Sequence, residues 1–304
     1  MIEKLIKKFL DNPVYLTNGA GLLARQWGCS KEEVYEARRE VRIRLTNSSR
    51  KKEFKRLFFD IETSYNIGKF WSTGYNKQIN PGDIITERAI ICVSYKWEGE
   101  DIVHNITWDE NQCDKELLQK FSKIIGEASE VIGHNGDRFD IPWIRTRCLI
   151  HRIPFPTYVK SLDTLLKARS QFNFQSNKLD YLARVLKVGA KVETGGMELW
   201  DKIILQKDKE ALDKMVYYCN NDVVILEEVF NVIQSYIKPN THVGVHLGNK
   251  KWGCPICGTE NVTYIKPTIT QKGVIQRQMF CNHDKSDYII SNTIYKKYKT
   301  DANL

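Results

Sequence analysis

Residues 56–64 read RLFFDIETS. Leu57, Phe58 and Phe59 form a short apolar run, which predicts a buried strand. Side chains alternate between the faces of a strand, so Asp60 and Glu62 share one face. Two like-signed carboxylates on a buried strand are costly without a partner, and a bound divalent cation removes that cost. The duller reading, surface acids on an edge strand, sits badly with the apolar run in front of them.

Working outward, AIICVSYKWEGE (89–100) and NITW (105–108) predict two strands that pair with the first as an antiparallel meander. The intervening stretch 64–88, rich in Gly, Asn and aromatics, is long for a connection. Phe70, Trp71 and Tyr75 either stack on unpaired bases or pack the loop onto its own domain, and packing is the expectation. A helical pattern over 113–128 precedes VIGHN (131–135), a strand ending in a Gly-His-Asn turn. Asn135, Phe139 and Asp140 therefore fall at the C-terminal end of a strand and the opening of a helix, where ligands collect in α/β sheets. Further on, Val223, Leu226, Val229, Phe230 and Ile233 keep helical spacing, which puts Tyr218 and Asp222 one turn apart on one helix.

These segments, in this order, resemble the DEDDy group of 3′–5′ exonucleases on the ribonuclease H-like fold, especially the proofreading domains of B-family DNA polymerases. The motifs are Asp60-Ile61-Glu62-Thr63, Asn135-x₃-Phe139-Asp140 and Tyr218-x₃-Asp222, with Ser161-Leu162-x-x-Leu165 between the last two. The resemblance covers about residues 57–237. It implies an α/β fold: a mixed sheet flanked by helices. By the same resemblance Asp60, Glu62, Asp140 and Asp222 hold two Mg²⁺ or Mn²⁺ ions, and Tyr218 orients or helps deprotonate the attacking water. Thr63, Asn135, Phe139, Ser161 and Leu162 are then the positions that hold a single-stranded DNA 3′ end. RNA as substrate, or a non-catalytic DNA-binding protein with a decayed core, are the competing readings. Asp163 reads as a helix-start acid, Lys178 as a solvated lysine and His134 as structural.

The flanks differ in charge. The 304 residues carry 46 Lys+Arg and 37 Asp+Glu, a formal net charge of +9. Residues 1–56 hold 14 basic and 7 acidic side chains, residues 238–304 hold 10 and 4, and the middle is acidic with 22 and 26. Basic arms attract phosphates and an acidic centre suits divalent metal, although basic termini also serve solubility alone.

At the N-terminus, Ile2, Leu5, Ile6, Phe9 and Leu10 keep helical spacing up to Pro13. Leu22, Leu23 and Trp27 predict the apolar face of a second helix. Gly28 suits a turn, and Ser30 with Glu33 makes a capping box opening a third. This module, 1–50, resembles a helix-turn-helix that presents Arg38, Arg39 and Arg42, with a plain helical hairpin equally compatible. At the C-terminus, Cys254-x₂-Cys257, 23 residues and Cys281-x-His283 resemble a zinc ribbon over 245–295, with one structural Zn²⁺ held by those four residues and His246 a distant substitute for His283. The catalytic domain between them is expected over 57–237. Cys29, Cys92, Cys113, Cys148 and Cys219 are scattered singly and read as buried thiols of a reducing, intracellular compartment. The chain start has no secretory pattern, and no run of about 18 apolar residues predicts a membrane span. No polymerase module fits in the remaining length, so a proofreading role implies a separate polymerase chain.

Overall fold

The computed structural model describes residues 2–11, 15, 19–48, 53–71, 79–190 and 195–302; the side chains of Leu10 and Arg42, and all of Tyr75, lie outside the described residues. The chain divides into two compact units, Met1–Glu53 and Phe54–Leu304.

The first unit contains α1 (Ile2–Asp11), α2 (Ala20–Trp27) and α3 (Lys31–Ser48). Leu5, Ile6, Phe9, Leu23, Ala24, Val34, Ala37 and Val41 form its core. Gly28 ends α2 at φ +65°, a left-handed turn that glycine adopts without strain. The capping box is present: the Ser30 amide donates to Glu33 Oε2 at 2.9 Å, and the Glu33 amide donates to Ser30 Oγ at 3.1 Å. Two expectations need correction. Leu22 is exposed rather than part of the apolar face. Arg38 donates through Nη2 to the Tyr15 carbonyl at 2.9 Å and lies over the Phe9 ring, so tertiary contacts hold it against its own unit.

The second unit is built on a five-stranded sheet of order β5-β4-β1-β6-β7. β1 (Arg56–Thr63) pairs antiparallel with β4 (Ile90–Trp97), which pairs antiparallel with β5 (His104–Thr107). On its other side β1 runs parallel to β6 (Glu130–Gly133), and β6 runs parallel to β7 (Lys160–Asp163). The connection 64–88 carries a short ladder, β2 (Ile67–Gly68) against β3 (Ile84–Thr86). Phe70 and Trp71 stand exposed there, Trp71 fully, contrary to the packed loop expected.

The sheet separates two apolar cores, because β1 alternates. Leu57, Phe59 and Ile61 face one core with α4 (Lys115–Glu127) and α5 (Asp140–Ile150). Phe58 faces the other with α7 (Leu179–Leu186) and the long α9 (Lys209–Ile233), and the periodicity puts Asp60 and Glu62 in the row of Phe58. Between these elements run α6 (Thr164–Gln171) and α8 (Met197–Gln206). After α10 (Val243–His246) comes a three-stranded sheet, β8 (Val262–Ile269), β9 (Ile275–Cys281) and β10 (Asp287–Ser291), then α11 (Asn292–Asp301). β8 and β9 form an antiparallel hairpin, and α11 carries this part to Asp301. Tyr298 of α11 is buried and Trp252 Nε1 donates to Asp301 Oδ2 at 3.0 Å.

Candidate functional site

The three acidic segments are tied together by hydrogen bonds between elements. The Ile61 amide of β1, between Asp60 and Glu62, donates to Asp140 Oδ1 at the start of α5, at 3.1 Å. The Cys219 thiol of α9 donates to the Asp60 carbonyl and to Asp60 Oδ2, both at 3.5 Å. Ser94 of β4, the register partner of Asp60, donates through Oγ to Asn220 Oδ1 at 2.7 Å and pins α9 to the sheet. Asp222 follows three residues after Cys219 on the buried side of α9, and Tyr218 is half-buried one turn before it. Asp60, Glu62 and Asp140 thus gather beside the Tyr218–Asp222 turn of α9.

Negative charges bear on one another in this group. Asp140 is 3% exposed. Burial, and then the negative charge of Asp60, push its carboxyl well above the usual carboxylate range, with Asp163 adding to the rise. Burial likewise pushes the Cys219 thiol up, followed by its contact with Cys92 and the charges of Asp60 and Glu62. Carboxylate oxygens are hard donors, a type that matches Mg²⁺ or Mn²⁺ better than softer metals.

The turn between β6 and α5 has its own anchor. Asn135 takes a left-handed conformation, φ +73°. The Asp163 carboxylate at the end of β7 accepts from the Asn135 amide at 3.1 Å and the Asp137 amide at 3.2 Å. It also caps α6 by accepting from the Leu165 and Leu166 amides. A helix-start acid it is, but one that also holds the second motif in shape. Gly133 and Gly136 approach so closely that a Cβ on Gly133 would lie 3.1 Å from the Gly136 Cα, so side chains are unwelcome there. His134 is structural, as expected: its ring contacts Thr164 Oγ1 and the Asn177 carbonyl, both at 2.9 Å. Lys178 is exposed ahead of α7.

The remaining expected contacts divide. Thr63 is buried at the end of β1, its carbonyl accepting from Trp200 Nε1 at 3.0 Å. Phe139 is half-buried beside Asp140, and Ser161 donates to Asp137 Oδ1 at 2.5 Å. Leu162 is a correction: at 2% exposed it packs with Phe58, Ile132 and Leu182 in the core and offers nucleic acid no surface.

The C-terminal donor set is also corrected. Cys254, Cys257, Cys281 and Asp284 bring one ligand atom each within 4.8 Å of one another. Cys254 Sγ lies 3.0 Å from Asp284 Oδ2, and Cys257 Sγ lies 3.6 Å from Cys281 Sγ. His283 is exposed and outside this group. His246 contacts Ser129 Oγ at 3.2 Å and the edge of the Phe54 ring. The sequence did hold the signal: Cys281-x₂-Asp284 repeats the spacing of Cys254-x₂-Cys257. Its last position is an aspartate rather than the cysteine or histidine usual at structural zinc sites.

Comparison with known proteins bears on this geometry. Residues 85–234 match the sequence profile of the RNase H superfamily. The match begins within β3, after Asp60 and Glu62, and includes Asp140, Tyr218 and Asp222. The chain is 32% identical over 106 residues to a DNA polymerase of Thermococcus hydrothermalis, covering 32% of this chain and 5% of that protein. It is 27% identical over 164 residues to a DNA polymerase of Thermococcus kodakarensis, covering 48% of this chain and 9% of that protein. The chain therefore spans only a small part of the length of these relatives. A solved structure of the family B DNA polymerase from the hyperthermophilic archaeon Pyrobaculum calidifontis aligns with a TM-score of 0.45 and 15% identity, covering 60% of this chain and 25% of that one. Among the described residues, no helix is long and apolar enough to cross a membrane.

Proposed function

Residues 85–234 belong to the RNase H superfamily, and from that premise we propose that this chain is a metal-dependent 3′–5′ exonuclease acting at DNA 3′ ends, of the proofreading type used in replication or repair. The superfamily and the likeness to DNA polymerases support nuclease activity in general. The observation that carries the finer reading is the convergence of β1, α5 and α9: the Ile61 amide donates to Asp140 and the buried Cys219 thiol lies against Asp60, beside Tyr218 and Asp222.

Asp60, Glu62, Asp140 and Asp222 would hold two Mg²⁺ or Mn²⁺ ions. When bound, such ions lower the pKa of water and stabilise charge on the attacking and leaving oxygens of a phosphodiester. The chain's own residues do the rest. Tyr218, one turn before Asp222, orients the attacking water through its phenol. Asn135, Phe139 and Ser161 lie at or beside the turn that Asp163 holds and position the terminal nucleotide, with Thr63 at the end of β1. In the ribbon, the three thiols hold one structural zinc, and the basic first unit serves as a helix-turn-helix-like grip on phosphate.

The test uses 5′-labelled single-stranded DNA and the matched RNA, with Mg²⁺, Mn²⁺ or chelator. Stepwise shortening of DNA from the 3′ end, abolished by chelator, is expected. A strong preference for RNA would overturn the substrate assignment, and cleavage within the strand or from the 5′ end would overturn the polarity.

A further inference from the structure

The ribbon's metal site is incomplete with three thiols, since structural zinc takes four protein ligands. We infer that Asp284 is the fourth ligand, binding through Oδ2 alone, so that the site is Cys₃Asp. This rests on the reading that the thiols hold zinc, and it names a ligand that the Cys-His pattern passes over.

Three independent features support it. The first is position. Asp284 stands three residues after Cys281, where the turn following β9 repeats the two-residue gap of the first ligand pair. The second is the division of work between the two carboxylate oxygens. The Ser286 amide at 3.0 Å and the Ser286 hydroxyl at 2.5 Å both donate to Oδ1, and Ser286 is 2% exposed. That fixes the carboxylate plane and leaves Oδ2 facing Cys254 Sγ at 3.0 Å. Orienting a ligand through its second oxygen is the role that outer partners play in metal sites. The third is how the thiols are supported. The Ile256 amide donates to Cys254 Sγ at 3.3 Å and the Asp284 amide to Cys281 Sγ at 3.4 Å, so backbone N–H groups face sulfurs that must carry negative charge when a metal is bound.

The spacing fits. Metal–sulfur bonds of about 2.3 Å and metal–oxygen bonds of about 2.0–2.2 Å in a tetrahedron set donor atoms roughly 3.6–3.8 Å apart. The Cys257–Cys281 separation of 3.6 Å already matches. The Cys254–Asp284 pair, at 3.0 Å, has to open by about half an ångström, which replaces an S–H···O hydrogen bond with two bonds to metal. The rival explanation is a metal-free cluster in which that hydrogen bond is the end state.

The experiment is a Co²⁺ titration of the full chain, followed by the sulfur-to-cobalt charge-transfer band. The carboxylate site has no sulfur ligand and contributes nothing to this band. Four proteins are compared: wild type, Asp284→Asn, Asp284→Cys and His283→Gln. Wild type should show the band with one Co²⁺ per chain, displaced by Zn²⁺. Asp284→Asn should weaken binding by roughly tenfold or more, since even outer-shell losses reach that size. Asp284→Cys should restore tight binding, raise the band by about a third through a fourth thiolate and slow zinc release to a chelator. His283→Gln should match wild type. If His283→Gln weakens binding while Asp284→Asn does not, or Asp284→Cys adds no intensity, Asp284 is not the ligand even though the thiols bind metal. Absence of the band in wild type would instead remove the zinc reading itself.

Discussion

Asp114 and Asp140 are both buried aspartates of the second unit, and their surroundings are opposite. Asp114, just ahead of α4, is wholly enclosed. Arg147 donates to both its oxygens, Nε to Oδ2 at 2.7 Å and Nη2 to Oδ1 at 2.8 Å. His151 Nε2 lies 2.7 Å from Oδ1, and the Ile90 amide donates to Oδ2 at 3.0 Å. Burial alone would push this carboxyl up, but Arg147, the Ile90 amide and His151 together hold it below the usual range. Asp140 receives the Ile61 amide, yet it faces the negative charges of Asp60 and Asp163 and is pushed well up. Cys113, Asp114 and His151 also form a group of metal-ligating types, but a guanidinium already occupies both Asp114 oxygens. Burial of an acid therefore does not mark a site. What sets Asp140 apart is burial against other acids, a repulsion that a bound cation or a proton would relieve.

The largest expected effect tests the opposed acid. Asp140→Asn should lower the rate of DNA hydrolysis by roughly a thousandfold or more, because each metal-holding carboxylate supports several kcal/mol of transition-state charge. The melting temperature of the metal-free protein should stay the same or rise, since the substitution removes a repulsion. A variant that kept its rate, or that unfolded, would make Asp140 a structural acid like Asp114. Arg147→Ala is the reverse case. It strands the buried Asp114 charge and should cost about 3–5 kcal/mol of stability, measured by denaturant unfolding. The activity of the molecules that remain folded should persist. If stability barely changed, the contrast between the two aspartates would lose one side.

The Asp140 side of this contrast was legible in the sequence, for reasons that differ by residue. The Asp114 side was not, because Ile90, Arg147 and His151 lie 24, 33 and 37 residues from it. β1 could be read because an apolar run and an acidic pair sit within eight residues, and α9 because its periodicity is long. Asp163 could be read as a helix-start acid, since capping is local. Its hold on the Asn135 and Asp137 amides could not, because those contacts span 28 and 26 residues of chain. Leu162 lay within a recognised motif, and nothing local told that its side chain completes the core with Phe58 and Ile132. Arg38 looked free at its helical spacing until Tyr15 and Phe9 took it up. Asp284 is different in kind. Its spacing was visible, and the expectation of a histidine hid it.

A smaller effect follows from the sign of the Asp114 shift. A carboxylate held below its unfolded value adds stability that is fully present above the ordinary carboxylate pKa of about 3.9 and is lost as pH falls through the folded value. Wild type should therefore melt well above Asp114→Asn at neutral pH, and the two should converge as the pH drops below about 4. Parallel curves across that range would mean that Asp114 draws no net stabilisation from its ionised form.

The smallest expected effect concerns the thiol beneath the opposed acids. Cys219 is fully buried, and its bonds to Asp60 are long at 3.5 Å. A thiol is also a weak donor, so the bond contributes little on its own. Cys219→Ala removes that bond and one sulfur of packing against its surroundings, which should cost about 1 kcal/mol in unfolding free energy and reduce hydrolysis only severalfold. Asp60 is then held chiefly by its strand, as part of β1 paired to β4 on one side and β6 on the other. A loss of rate approaching that of Asp140→Asn, at unchanged melting temperature, would show instead that the thiol sets the Asp60 carboxylate in place. The opposed acids would then need a positioning hydrogen bond as firm as the one Arg147 gives Asp114, and the line drawn between the two regions would be redrawn around Cys219.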